Sequence, residues 1–130
     1  MNRWKGMVLA WLLASGCSER SAPSGAAMYQ RYCASCHGSA GKGDGPVASS
    51  LQRPPADLTK IAKRAGGRFD EAALLAIIDG RRQVATHGPR EMPVWGAVFD
   101  EELEGQPYKT YTGLLQSQLL VDYLRSLQEK

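Results

Sequence analysis

The run Cys33-Ala34-Ser35-Cys36-His37 constrains this chain more than any other feature. Two cysteines three residues apart lie on one helical turn, so their sulfurs share a side. The next residue adds an imidazole beside them. Covalent attachment of a porphyrin needs this set: two sulfurs for the vinyl groups along one edge, and an axial nitrogen beneath the iron. The run therefore reads as an attachment site for one haem c, held through Cys33 and Cys36. Other readings fit less well. A redox disulfide calls for a βαβ setting, and no convincing strand is found. A structural zinc site calls for four ligands. Only Cys17, Cys33, Cys36, His37 and His87 are available, with no second paired spacing. A chance match in a buried turn is the remaining alternative.

The start of the chain points outside the cytoplasm. Arg3 and Lys5 precede the apolar stretch Met7–Ala14, and Ser15-Gly16 are small. Residues 1–16 are expected to be an export signal, too short to span a bilayer. Leu13-Ala14-Ser15-Gly16-Cys17 resembles a bacterial lipoprotein signal, which implies lipidation at Cys17. Residues 17–24 are then a short tether, and residues 25–130 one folded domain. The odd number of cysteines, three, excludes a purely disulfide-paired scaffold. The 16 basic and 13 acidic residues give a net charge of +3. Without residues 1–16 the net is +1, too weak an excess for a nucleic-acid binder.

Periodicity predicts helices and loops. Tyr29, Tyr32, Cys33 and Cys36 share one face of a helix over 25–36. Residues 38–57 are rich in Gly and Pro and read as a loop with a short turn at Val47–Leu51. A helix over 70–79 is expected, capped by Asp70, stapled by Phe69 and Leu74, and stopped by Gly80. Residues 81–112 lack periodicity. A last helix is expected over 113–128, with Leu120, Tyr123, Leu124 and Leu127 on its apolar face. Gln116 interrupts that face one turn earlier.

At these residues the chain resembles the class I cytochrome c family, over about 25–128. Gly25 and Tyr29 stand eight and four residues before Cys33, as in that family, and Tyr123 fits the aromatic of its last helix. Gly41-Lys42-Gly43-Asp44-Gly45-Pro46 matches its glycine-rich loop. Met92-Pro93-Val94-Trp95-Gly96 matches its distal-ligand loop. The resemblance implies an all-α fold in which N- and C-terminal helices pack together and loops wrap one haem. It implies His37 and Met92 as iron ligands, with the Pro46 carbonyl accepting the His37 Nδ1–H. His87 is the rival distal ligand. Trp95 is expected either to donate to a haem propionate or to pack as an aromatic. The stretch from Phe99 to Gly113 is longer and more polar than the family leads one to expect.

These features imply an electron carrier rather than an enzyme, since no acid/base pair, nucleophile triad or phosphate loop is found. Its partners would be redox proteins that dock briefly, with a membrane anchor at Cys17, and the chain would be a monomer. Eight cations and four acids fall between Arg53 and Arg90. Five acids and no cation fall between Glu91 and Glu104. Such asymmetry steers brief encounters. Two alternatives stay open: a haem protein that binds gaseous ligands through a labile Met92, and a subunit fixed to a larger periplasmic oxidoreductase.

Overall fold

The computed structural model describes residues 24–82, 92–105 and 107–130, and of residues 109–111 the backbone alone. The expected export signal, Cys17 and His87 lie outside the described residues.

The helix that leads into Cys33 starts where its sequence asks it to. Ser24 Oγ accepts a hydrogen bond from the Ala27 amide at 3.1 Å, capping helix α1 (Gly25–Tyr32). Helix α2 (Ala34–His37) follows after Cys33, whose backbone stays in the right-handed helical region. The Cys33 amide donates to the Tyr29 carbonyl and the His37 amide to the Cys33 carbonyl, each at 2.9 Å. The predicted helix over 25–36 thus forms as two pieces joined at the first cysteine of the motif. The turn expected at Val47–Leu51 is a 3₁₀ turn over Ala48–Ser50.

A second 3₁₀ turn, Leu58–Lys60, runs into helix α3 (Ile61–Arg64). Far-off residues hold this pair. Gln128 accepts from the Ala62 amide at 2.9 Å and donates to the Leu58 carbonyl at 2.8 Å. The Glu129 amide donates to the Thr59 carbonyl at 2.9 Å. Helix α4 (Glu71–Ile78) is capped as expected, with Asp70 Oδ1 accepting from the Ala73 amide at 3.0 Å.

Two boundaries differ from expectation. Residues 95–102 form helix α5 (Trp95–Glu102), within the stretch read as aperiodic. Its Gly96 and its acidic end blur the apolar stripe, yet Trp95 and Phe99, one turn apart, face the core together. Helix α6 (Lys109–Ser126) begins four residues before the expected start at 113. Gly113, low in helix propensity, lies inside it because α6 passes close to α5 there: a Cβ at Gly113 would stand 3.0 Å from Asp100 Oδ1.

The core is small and sits between α1, α4, α5 and α6. Met28, Tyr29, Ile78, Phe99, Leu120, Val121 and Leu124 are buried in it. Burying each leucine or valine stabilises the fold by about 2 kcal/mol. Gly25 lets α1 touch α6, since any Cβ there would overlap the Leu119 carbonyl. One turn on, the Tyr29 and Tyr123 rings meet at 5.2 Å. The packing of N- and C-terminal helices that the resemblance implies therefore forms, at Gly25, Tyr29 and Tyr123. An Arg125–Glu71 ion pair joins α6 to α4, and Arg125 lies over the Phe69 ring at 5.2 Å. Among the described residues there is no strand, and the chain has the all-α architecture expected. Among them, too, no helix is long and apolar enough to cross a membrane.

Candidate cofactor site

The packing of these helices leaves space on one side of the motif. Two adjoining cavities, about 270 Å³ and about 50 Å³, share Cys33, His37, Met92 and Trp95 as walls. Cys36 borders the smaller one. Leu58, Ile61, Ile77, Ile78, Leu120 and Leu124 give the larger one an aliphatic lining. Four residues singled out in the sequence, Cys33, Cys36, His37 and Met92, are thus brought together from the α1–α2 junction, α2 and the stretch before α5. Trp95 joins them as an aromatic wall. Its ring lies 5.4 Å from Tyr32 and 6.2 Å from Phe99, and Tyr32 lies 5.2 Å from Phe99.

His37 is buried, 8% exposed, and its ring is held. Nδ1 stands 2.9 Å from the Ala56 carbonyl oxygen. A carbonyl only accepts, so Nδ1 donates and the neutral ring carries its lone pair on Nε2. This corrects the expectation for Pro46. Its physical reason is the path of the loop. The Gly43 amide donates to the His37 carbonyl at 2.8 Å and the Leu58 amide to the Gly41 carbonyl at 2.6 Å. These bonds double the chain back and carry residues 54–56 to the imidazole, while Pro46 stays exposed. Gly43, with φ near +80°, supplies the left-handed turn this requires.

Electrostatics favour the neutral thiol at Cys33. Burial pushes the Cys33 thiol up to about 12, with the Cys36 thiol adding to the shift. A thiolate at Cys33 is thereby disfavoured. Beyond the motif, Tyr29 Oη donates to the Gly38 carbonyl at 2.7 Å, fixing the residue after His37. Burial raises the Tyr29 phenol to about 12. Arg53 borders the smaller cavity and Arg64 the larger one, bringing guanidinium groups beside an otherwise apolar space. Sequence reasoning missed Ala56, Leu58 and Ile61. Ala56 acts through its backbone and carries no side-chain signature; Asp57 before Leu58-Thr59-Lys60 was a readable helix start.

Two half-buried cysteines, a buried imidazole with its lone pair on Nε2, a thioether and an aliphatic lining fit a covalently bound haem. Fold and site together define a c-type cytochrome domain. The family model described as cytochrome C oxidase, cbb3-type, subunit III matches residues 20–105, more than half of the chain, which therefore belongs to that family. No curated protein and no solved structure gives a match. Membership implies haem-based electron transfer, redox partners and covalently bound c-type haem.

Proposed function

We propose that this chain is a monohaem electron carrier working on the periplasmic side of a bacterial membrane. When bound, the haem supplies a one-electron Fe(III)/Fe(II) couple. In this reading Cys33 and Cys36 hold it covalently, and His37 Nε2 and the Met92 sulfur are the axial ligands. The observation that carries the reading is that these four residues wall the same apolar space. The Met92 thioether favours reduced iron and raises the potential. The Ala56 carbonyl keeps the His37 ring in one tautomer and orientation. The aliphatic wall excludes water, and two firm ligands leave no place for a substrate, which suits outer-sphere transfer. Arg53 and Arg64 would face the propionates, and Trp95 serves as packing or as a propionate donor. Residues 1–16 direct export, Cys17 carries the lipid, and residues 25–130 form the single haem domain, monomeric, with partners that dock briefly near the haem edge.

The test uses protein matured in the periplasm. A pyridine haemochrome spectrum after denaturation reads covalent attachment, and the red-region Met–Fe(III) band reads ligation. Retained haem, and a band lost in Met92→Ala, are expected. Haem released on denaturation, or a band that survives in Met92→Ala, refutes the respective assignment. Intact mass of the mature N-terminus decides the lipid: an unmodified Cys17 overturns the anchor. The family description itself favours a second reading, a subunit held permanently in an oxidase. Co-purification of oxidase subunits through detergent and high salt would support that reading over transient docking.

A further inference from the structure

The mechanism leaves one arrangement on the haem-motif side unused. Glu102, at the end of α5, accepts from Tyr32 Oη at 2.5 Å through one carboxylate oxygen. Its other oxygen accepts from Arg31 Nη2 at 3.2 Å. Arg31 and Tyr32 are the last two residues of α1, and Cys33 follows them. At the other end of α5, Trp95 packs on the same Tyr32, and Met92 lies three residues before Trp95.

The helix that follows Met92 is therefore fastened to the helix that leads into Cys33, Cys36 and His37. The fastening has two parts. The Tyr32, Trp95 and Phe99 rings set how closely α5 approaches α1, but ring contacts tolerate sliding. The Glu102 carboxylate, gripped from two sides, fixes rotation and slide, because a charge-assisted hydrogen bond is short and directional. Between Met92 and α5 stand only Pro93 and Val94, and the proline ring fixes one of the few torsions available. Where α5 is held, Met92 is held.

We propose that Glu102 is a positioning residue for Met92: by tying α5 to Tyr32 and Arg31 it keeps the methionine against the cavity it shares with Cys33 and His37. This rests on Met92 being the distal ligand. Of the two partners Tyr32 matters more. The Arg31 side chain is 69% exposed, so its ion pair is screened by water. Deletion of a charged hydrogen-bond partner, by contrast, costs a substantial part of the bond.

The test uses full-length, haem-loaded protein and free imidazole as the competitor for the position of Met92. Loss of the Met–Fe(III) band with rising imidazole measures how readily Met92 leaves. Tyr32→Phe, which deletes the donor hydroxyl, is expected to lower the half-saturating imidazole concentration by about tenfold, and Glu102→Gln, which keeps an acceptor oxygen but loses the charge, by about threefold. Arg31→Gln is expected to lower it by about twofold. Glu71→Gln is the control. It breaks the comparable Arg125–Glu71 pair between α4 and α6, lowers overall stability, and leaves the imidazole titration unchanged. Glu102→Gln within twofold of the parent overturns the proposal, as does an equal fall in Glu71→Gln. A parent whose band is indifferent to Met92→Ala refutes the ligand assignment itself, and the role of Glu102 with it. A band abolished by Met92→Ala but unaltered toward imidazole in Glu102→Gln refutes only the positioning role.

Discussion

The imidazole of His37 is oriented by the backbone of Ala56, its Nδ1 donating to that carbonyl across 2.9 Å. The acceptor follows two consecutive prolines, Pro54 and Pro55, whose fixed torsions narrow the loop to few conformations. Pro46→Ala is therefore expected to leave the His37 Nδ1 proton as protected from solvent exchange as in the parent. Pro55→Gly, which frees the segment presenting Ala56, is expected to speed that exchange severalfold. Proton NMR of the haem-loaded protein separates the two.

Gly25 is the contact point of α1 and α6. A methyl group there meets the Leu119 carbonyl and crowds the Cβ of Tyr123. Gly25→Ala is expected to cost about 3 kcal/mol by overpacking, despite the better helix propensity of alanine. Urea unfolding followed by circular dichroism measures it. A stability equal to the parent would show that α1 and α6 shift without penalty.

Asp57 sets an acid limit. Lys60 Nζ donates to its carboxylate at 2.6 Å, and Thr59 donates through both its hydroxyl and its amide. The Lys60 bond is the main cause that holds its carboxyl at about 2, below the ordinary 3.8. The ionised form is thus favoured by folding. Its contribution is complete above pH 4 and is lost as pH falls through 2. Solvent screening limits it to about 1 kcal/mol. Asp57→Asn is expected to be less stable at neutral pH and to show a flatter loss between pH 4 and pH 2, read by thermal melts across that range.

Tyr108 precedes α6 with φ 62°, in the left-handed region, and the residue is 83% exposed. A bulky residue is strained there, and little packing offsets the strain. Tyr108→Gly is expected to raise stability by about 1 kcal/mol, and the midpoint of a thermal melt decides the sign.

The parts of the fold that announce themselves in the sequence are those where side chains act locally. Asp70 caps α4 through its own carboxylate. The spacing of Tyr29, Tyr32, Cys33 and Cys36 fits the α1–α2 unit because a helix imposes it. Met92 and Trp95 stood out through the proline and glycine beside them, and the structure sets both on the walls next to His37. Three things could not be read in the same way. Ala56 contributes an oxygen that every residue has. Helix α5 takes its stability from burying Phe99 against α6, a partner distant in sequence, so its local pattern is weak. The five acids between Glu91 and Glu104 read as one side of a charge asymmetry that steers encounters, yet Glu102 is spent on Tyr32 and Arg31. Charge counted along a chain does not tell which charges are already paired.

The hold of Gln128 on Leu58 and Ala62 joins residues 70 and 66 positions apart. Its consequence is one of order in time. A chain that emerges from its N-terminal end presents Cys33, Cys36 and His37 well before Gln128 arrives. Contacts so distant in sequence also close late in folding, because the intervening segment must first be gathered in. The wall that Leu58 and Ile61 give the cavity is thus braced by contacts that form late.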